Sequence, residues 1–219
     1  MNTFTATANS ASTIGHVSYG ETGWAVGSTE GACQGAYHGT SASNSRVGLM
    51  LFSGAGAALK GKVIQSITLT ITCSGAGSGS SSKVLSFRRA NVQALDTSLR
   101  GSGQVGAALG TLTGKFYSNT TTHTLSASSN AAFFAALCAY LTEGNSALVL
   151  YNGETSTSSG YSANYARVTA CTLTVSYSDG TVHYRTGGAW KQCTVWVRVN
   201  GAWKQCAPYY RKDGAWVRV

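Results

Sequence analysis

The sequence predicts an all-β fold: a jelly-roll β-sandwich with one short helix, followed by a small domain of three repeated β-hairpins. Residues 66–73 and 171–177 alternate strictly between apolar and hydroxyl side chains, as half-buried antiparallel strands do. Turn-forming residues separate several such segments, without the strand–helix–strand rhythm of a parallel sheet. A single proline among abundant Ser, Thr, Gly, Val and Tyr fits strands joined by tight polar turns.

Four further segments indicate strands of the same sandwich. Residues 46–52 form a short apolar run bounded by polar residues, which fits a strand buried on both faces. Residues 59–64 lead into the first alternating strand, and residues 83–89 follow it after a glycine- and serine-rich tip. Residues 147–151 form another short apolar strand. We therefore expect two packed sheets built from segments distributed along the chain.

One helix is predicted between these strands. Ser129 or Asn130 can cap its first turn, and Gly144 can end it. Its apolar stripe consists of Phe133, Phe134, Leu137, Cys138 and Leu141.

The end of the chain contains a repeat with a period of 13 residues, in units at residues 182–193, 195–206 and 208–219. Each unit repeats an Arg, a Gly and a Trp at equivalent positions. Its central dipeptide is Gly-Gly, Asn-Gly or Asp-Gly, which accepts the positive φ angles of a two-residue type I′ turn. Each unit therefore predicts a β-hairpin. We divide the chain into a jelly-roll domain, residues 1–178, and a hairpin domain, residues 179–219.

The hairpins are too small to bury their tryptophans alone, because isolated hairpins are marginal in water. They must pack on one another, on the first domain or on other copies, so we expect a homo-oligomer, with a trimer favoured. The expected assembly residues are Arg185, Trp190, Arg198, Trp203, Arg211 and Trp216. Two interpretations remain open. The favoured one is a structural meander whose tryptophans form the packed face, and the other is a surface that binds an anionic wall component.

The charge distribution concentrates basic residues at the end of the chain. The net charge is +9, from 16 basic and 7 acidic residues, and residues 179–219, with 7 basic and 2 acidic, contribute +5. A basic surface can meet nucleic acid, anionic lipid or anionic wall polymers. No basic run or single-sign helix is present, which argues against nucleic acid. No signal peptide or membrane-spanning segment is indicated, so we expect synthesis in a host cytoplasm and no membrane insertion.

The cysteines and histidines indicate no metal site. The six cysteines are widely spaced and form no CxxC pair, and Cys73, Cys138 and Cys171 fall on apolar faces of predicted elements. Small core residues are the favoured interpretation over disulfides or metal ligands. The four histidines have no metal-ligand spacing. We expect no metal and no cofactor.

Signals of catalysis are weak. Glycoside hydrolysis needs two carboxylates placed across one bond, and Glu21 and Glu30 could supply them. Both lie in a Gly/Ser/Thr-rich loop, where a solvated side chain is the default. The sequence contains no nucleophile elbow and no phosphate loop. We expect no enzyme activity and no catalytic residues, with a glycosidase as the least favoured alternative.

Aromatic residues among small polar residues in predicted loops indicate glycan binding. Aromatic faces stack on sugar rings, while Asn, Glu and His side chains bond the hydroxyl groups. The candidate glycan-binding residues are Tyr19, Trp24, Tyr37, His38, Tyr151, Asn152, Glu154 and Tyr161. The alternative is that these aromatics only pack the edges and corners of the sandwich.

Part of the jelly-roll sequence resembles a known family. Residues 45–52 followed by residues 59–70 resemble the central signature of DNRLRE-type jelly-roll domains. Residues 161–165 with residues 170–175 are similar to the way such domains end. These domains resemble carbohydrate-binding modules and occur in secreted surface proteins and in phage and prophage tail proteins. The Asp-rich opening of the family is replaced here by residues 5–8, Thr-Ala-Thr-Ala, which argues against a calcium site.

The repeated Gly-Ala-Trp-Lys-Gln-Cys segments and the closing residues 209–219 are similar to the C-termini of phage minor tail and appendage proteins from gut-associated bacteria. The resemblance implies a virion protein on the particle exterior, in a tail fibre, baseplate or other appendage. Its implied partners are other virion proteins and a host-surface glycan. A bacterial cell-wall- or glycan-binding module, with the repeats as the binding element, is the main alternative. A capsid decoration or head-fibre protein is a lesser one.

Overall fold

The structure is a computed structural model. It describes residues 1–16, 23–27, 31–38, 43–75, 79, 81–94, 101–155, 157–179, 182–193, 195–205, 209–212 and 215–218. For residues 11–16, 23–27, 43–44, 101–102 and 205, and for most of the first and third hairpins, the description covers the backbone only.

The described residues form mainly strands. In chain order these are β1 (Asn2–Thr7), β2 (Asn9–His16), β3 (Gly23–Gly27), β4 (Ala32–His38), β5 (Ser43–Leu51), α1 (Ala55–Leu59), β6 (Val63–Ser74), β7 (Lys83–Ala90), β8 (Val105–Gly114), β9 (Thr120–Leu125), α2 (Ala131–Thr142), β10 (Ala147–Leu150), β11 (Gly160–Tyr161) and β12 (Ala166–Ser178). The hairpin strands are β13 (Val182–Thr186), β14 (Ala189–Cys193), β15 (Trp196–Val199), β16 (Ala202–Gln205), β17 (Tyr209–Lys212) and β18 (Ala215–Arg218).

Eight antiparallel strands make the jelly roll. Sheet A has the order β1–β12–β6–β9, and sheet B has the order β5–β10–β7–β8. Numbered one to eight along the chain, these strands read 1-8-3-6 and 2-7-4-5, which is the double Greek-key order of a jelly roll. Strands β2 and β3 extend sheet B beyond β5. The predicted all-β jelly roll is confirmed.

Strand β4 joins the two sheets. Its residues Ala32–Gln34 pair with β12 of sheet A, whereas residues 35–38 pair with β5 of sheet B. The change of sheet occurs at Gly35, whose φ angle is 90°. A Cβ atom there would lie 2.7 Å from the Cα atom of Tyr165, so both the backbone conformation and the close approach require glycine.

The main core lies between the sheets and follows the predicted alternation. Its β6 and β12 members are Ile67, Leu69, Ile71, Cys73, Cys171, Leu173 and Val175. Strands β5 and β10 are buried on both faces, because Met50 and Leu148 join this core while Val47 and Val149 join a second cluster. Cys33, Cys73 and Cys171 are buried, and Cys138 is partly buried. Among the described residues, no His/Cys/Asp/Glu cluster could hold a metal ion.

The predicted helix is α2. Its apolar stripe packs on the main core, where Phe133, Leu137 and Leu141 are buried. Asn130 occupies the N-cap position but has a left-handed conformation and makes no side-chain cap hydrogen bond, so the predicted cap interaction is wrong. Gly144, with φ at 102°, follows the helix end as predicted. The five-residue helix α1 was not predicted, because its small residues carry no helical stripe. No helix in the described part of the chain is long and apolar enough to cross a membrane.

The outer face of sheet A is covered with threonine and serine hydroxyls. Cross-strand threonine pairs on this face are hydrogen-bonded at oxygen–oxygen distances of 2.9–3.4 Å. The pairs are Thr5–Thr174, Thr7–Thr172, Thr68–Thr124, Thr70–Thr122 and Thr72–Thr120. We call this surface the threonine face.

Each of the three repeats folds as a two-stranded antiparallel hairpin: β13–β14, β15–β16 and β17–β18. The turn residues Gly187, Gly188, Asn200 and Gly201 have φ angles of 56°, 81°, 51° and 81°, as a type I′ turn requires. The third turn lies outside the described residues. In every hairpin the repeated Arg is directly opposite the repeated Trp, in the pairs Arg185–Trp190, Arg198–Trp203 and Arg211–Trp216. The hairpins form three separate two-stranded sheets among the described residues. The interpretation in which their tryptophans form a packed face stays a prediction.

The first prediction concerns the change of sheet in β4. Gly35→Ala combines a positive φ with a Cβ contact at 2.7 Å, whereas Gly61→Ala has a φ of 70° and nothing within 4 Å. We expect Gly61→Ala to lower the free energy of unfolding by about 1 kcal/mol and Gly35→Ala to lower it by about 2 kcal/mol more. Urea unfolding of both variants measures the difference. Equal losses would show that the contact with Tyr165 is unimportant.

The second prediction concerns pH. Burial raises the pKa of the Cys73 thiol from 9.0 to about 11, opposed by the nearby Lys83 charge. Below pH 9.0 the thiol is neutral in the folded and unfolded states; above it the unfolded state loses the proton first, so stability falls as pH rises towards about 11. Cys73→Ala should reduce this loss in the free energy of unfolding by about 2–3 kcal/mol, because a shift of one pKa unit corresponds to about 1.4 kcal/mol.

Urea unfolding at about pH 8 and about pH 11 measures the dependence. The control is Ile71→Val on the same strand, which removes buried apolar volume without removing a titrating group. It should keep the wild-type dependence on pH. An unchanged pH dependence in Cys73→Ala contradicts the prediction.

Candidate functional site

Three tyrosines meet where β11 pairs with β4. Tyr161 is directly opposite Tyr37, and Gly160 is opposite His38. The ring centroids lie 4.6 Å apart for Tyr37 and Tyr161, and 4.5 Å apart for Tyr161 and Tyr165. Tyr165 is buried, Tyr37 is partly buried and the side chain of Tyr161 is 39% exposed. These rings, which we call the tyrosine site, form a stack that begins in the interior and opens to solvent at Tyr161.

Glu154 holds the backbone of this site in place. Its carboxylate accepts hydrogen bonds from the Ser162 hydroxyl and, at 3.1 Å, from the Asn164 side-chain amide. The Ser162 oxygen also accepts a 2.9 Å hydrogen bond from the Ala36 N–H. Ser45 donates to the Glu154 carbonyl at 3.0 Å. Glu154 therefore connects β4, β5 and the segment after β11, and we assign it a positioning role beside the tyrosines.

A buried polar network lies beneath the same segment. The Gln34 amide donates to the carbonyls of Val84 at 2.6 Å and Asn164 at 2.9 Å, and its oxygen accepts from the Ser86 N–H at 2.9 Å. Asn164 accepts from the Val84 N–H at 2.9 Å. Lys83 is buried and donates to the Tyr165 carbonyl at 2.6 Å. Because buried polar groups are costly unless paired, this network fixes one conformation of the segment that carries the tyrosines.

Burial also controls the charge states at the site. It lowers the pKa of Lys83, opposed by Cys73, because desolvation disfavours the charged amine. It raises the pKa of the Tyr165 hydroxyl, reinforced by Cys33, while Arg46 and Arg167 act in the opposite direction. The phenol of Tyr165 is therefore neutral at physiological pH. The buried phenol of Tyr165 therefore lies uncharged near the basic side chains of Arg46 and Arg167.

The sequence analysis missed the supporting residues Gln34, Lys83 and Ser162. The sequence contains one indication for Lys83. It lies at alternate positions with Leu85 and Phe87 along the strand, so its side chain faces the same side of β7, and all three residues are buried. Gln34 and Ser162 carry no periodicity that separates them from loop residues.

The eight predicted glycan-binding residues have different outcomes. Tyr37 and Tyr161 meet at the tyrosine site, Glu154 accepts a hydrogen bond from Ser162 beside it, and His38 pairs with Gly160 through its backbone. Tyr151 packs against the second hydrophobic cluster, and its N–H donates to the Ser86 carbonyl at 3.1 Å. Asn152 accepts from the Glu154 N–H at 3.0 Å and shapes the preceding turn. Trp24 pairs with Gly15 through its backbone, and only the backbone of Trp24 is described. Tyr19, and the glycosidase candidates Glu21 and Glu30, also lie outside the described residues.

The second hairpin is a separate candidate surface. Trp196 is 54% exposed and Trp203 is 66% exposed. The register places Trp196, Arg198 and Trp203 on one face, with the two tryptophans diagonal to each other. Arg198 is exposed, and its Nε donates to the Gly201 carbonyl at 3.3 Å. Trp196 was not among the expected assembly residues, because those were chosen as identical in all three repeats. The residues equivalent to Trp196 are His183 and Tyr209, which are aromatic but not tryptophan.

Of the other expected assembly residues, Arg185, Trp190, Arg211 and Trp216, the structure describes the strand pairing but not the side chains.

In comparisons with known proteins, no family model and no curated protein matches this chain. The likeness to DNRLRE-type domains therefore stays a prediction. Function is inferred from the tyrosine site and the hairpins.

The positioning role of Glu154 gives a testable difference between two glutamates. Glu154→Ala leaves the Ser162 hydroxyl and the Asn164 amide without their acceptor, so we expect a loss of about 1–3 kcal/mol in the free energy of unfolding. Glu143→Ala removes a carboxylate that pairs with Arg89 at the surface, for which we expect less than about 1 kcal/mol. Urea unfolding of the two variants measures both values. A Glu154→Ala loss no larger than the Glu143→Ala loss contradicts the assignment.

Proposed function

We propose that this chain is a structural protein on the exterior of a bacteriophage particle, which binds a host-surface glycan through the tyrosine site and assembles through its hairpins. The observation that carries the glycan part is the open end of the tyrosine stack. Tyr161 offers a ring for the apolar face of a sugar, and the neighbouring Tyr37 ring brings a second phenol to the site.

Preorganisation favours this use of the site. The Glu154 bonds and the Gln34 network fix the segment that carries Tyr161 before any ligand arrives. A site that is already ordered loses less conformational entropy on binding, which matters for weak ligands such as single sugars. Repetition of the site in an oligomer would then raise the avidity for a polymeric glycan.

The hairpins support the particle part of the proposal. Trp196 and Trp203 remain exposed in the single chain, and exposed apolar surface on small elements is typical of protein–protein contacts. The similarity of the repeated ending to phage appendage proteins points to the same use. The proposed role has no catalytic step.

A bacterial cell-wall-binding module is the second candidate, and it is favoured by the exposed Arg198 between the two tryptophans. The two candidates differ in what residues 179–219 do. In a particle protein their removal reduces the oligomer to a monomer that keeps its monovalent glycan affinity. In the wall-binding module their removal abolishes adhesion to cells and leaves oligomer size unchanged. Size-exclusion chromatography with light scattering, combined with a cell-adhesion assay, separates these results.

The tyrosine site is tested by two substitutions at one position. Tyr161→Ala removes the stacking ring and should weaken binding to immobilised bacterial surface polysaccharides about tenfold, equivalent to about 1.4 kcal/mol. Tyr161→Phe keeps the ring and should retain most of the affinity. Thr122→Ala, on the exposed threonine face, is the control and should bind like the wild type. Unchanged binding by Tyr161→Ala would rule out the tyrosine site as the glycan contact.

A further inference from the structure

An apolar groove of about 670 Å³ lies between α2 and the start of β6. Ile64, Ala131, Phe134, Ala135 and Cys138 are among its lining residues, and none of the described lining residues is charged. We call it the helix groove. Its volume is sufficient for two indole rings, so the groove is a concave partner for large aromatic side chains.

Helix α2 is apolar on its outer side as well as its core side. Its sequence, AAFFAALCAYLT, contains no charged residue. Phe133 and Leu137 are buried, but Phe134 and Cys138 are only partly covered, and Ala135 is exposed. A helix that is hydrophobic all round is normally buried. The outer side of α2 therefore has the composition of a covered surface, although nothing in the described part of the chain covers it.

The hairpin β15–β16 has the complementary property. Trp196 and Trp203 project from one face, and the other face exposes Val197 and Val199, which are 44% and 39% exposed. The tryptophan face carries the larger apolar side chains of the two faces. The chain thus carries an open apolar groove and an exposed aromatic ridge that do not meet within one copy.

We propose that the Trp196–Trp203 face of the β15–β16 hairpin docks in the helix groove of a second copy of this chain. The inference deepens the assembly role proposed above and rests on it. The groove has room for both indoles, and removal of their apolar surface from water stabilises the contact.

Charge complementarity supports this occupant. The hairpin face carries Arg198 between its tryptophans. Helix α2 has no basic residue in its last turn and ends at Glu143, beyond the groove residue Ala139. The carboxyl end of a helix carries partial negative charge. Glu143 itself already pairs with Arg89, so the attraction that remains for Arg198 is the one to the partial negative charge of the helix end.

The point where the hairpin segment leaves the jelly roll is compatible with an exchange of hairpins between neighbouring copies. Ser178, the last residue of β12, pairs with Val63, which lines the groove, and Lys62 bonds Asp179 at 2.7 Å. The hairpin segment of each copy therefore begins beside its own groove. Neighbouring copies that exchange hairpins would gather these segments at one end of the assembly.

If two copies exchange hairpins reciprocally, the product is a closed two-fold dimer. If each copy donates its hairpin to the next one only, the contact is head-to-tail and the product is a ring or, where the rotation does not close, a fibre.

Site-directed crosslinking tests the proposal in the full chain with Cys193→Ser and Cys206→Ser. Gln205→Cys places a thiol on the tryptophan face without removing either indole, and the groove supplies Cys138. Under mild oxidation with copper phenanthroline we expect interchain disulfides, seen as dimers and larger species on non-reducing gels and absent with Cys138→Ala. The matched control is Lys204→Cys, which lies on the opposite face and should crosslink several-fold less. Equal crosslinking by both variants, or a purely intrachain product, overturns the proposal.

Oligomer size gives an independent measurement. Trp203→Ala on the ridge and Ala135→Arg in the groove should each shift the assembly to monomers in light scattering. Ala132→Arg, an exposed α2 position outside the described groove lining, should not. If Trp203→Ala dissociates the oligomer and Ala135→Arg does not, the hairpins assemble on another surface and this docking is wrong. Polysaccharide retention of the same variants reports on the glycan role separately, because monomers keep the tyrosine site.

Discussion

The pairing of β4 with both sheets is the constraint on which the rest of the structure depends. At Gly35 the strand leaves sheet A and enters sheet B, and the backbone of Tyr165 lies directly against it. Gln34 lies one residue earlier. Its side-chain amide nitrogen donates two hydrogen bonds and its oxygen accepts one, and these bonds hold β7 and the segment after β11 to this junction. The two sheets, the buried end of the tyrosine stack and the loop that presents Tyr161 therefore share one anchor.

Local patterns predicted the parts of the fold that depend on local chemistry. The alternations in β6 and β12 and the turn dipeptides of the hairpins gave the correct elements, because side-chain period and turn conformation are properties of neighbouring residues. The two-residue strand β11 and the helix α1 were not predicted. Each is fixed by distant partners: Tyr161 by Tyr37, and the N–H of Gly56 by the Ser146 hydroxyl at 2.7 Å.

The candidate site likewise has a part that the local sequence indicates and a part that depends on long-range contacts. Aromatic residues in polar surroundings marked Tyr37 and Tyr161 as a plausible pair, yet nothing local places them side by side. The use of the Glu154 carboxylate within the protein depends on Ser162 and Asn164, which become neighbours only after β11 has paired. Sequence reasoning identifies the residue types that suit a ligand, while long-range pairing decides which of them touch it and which position it.

The threonine face has a consequence for how this surface responds to the medium. Threonine is branched at Cβ, so its side chain has few rotamers to lose, and the hydroxyls here already bond across the strands. The ten threonines of these pairs make the surface hydrophilic without carrying charge. Its hydration therefore does not change when acid protonates carboxylates or when salt screens ion pairs. The threonine pairs therefore keep this surface hydrophilic over a wide range of pH and ionic strength.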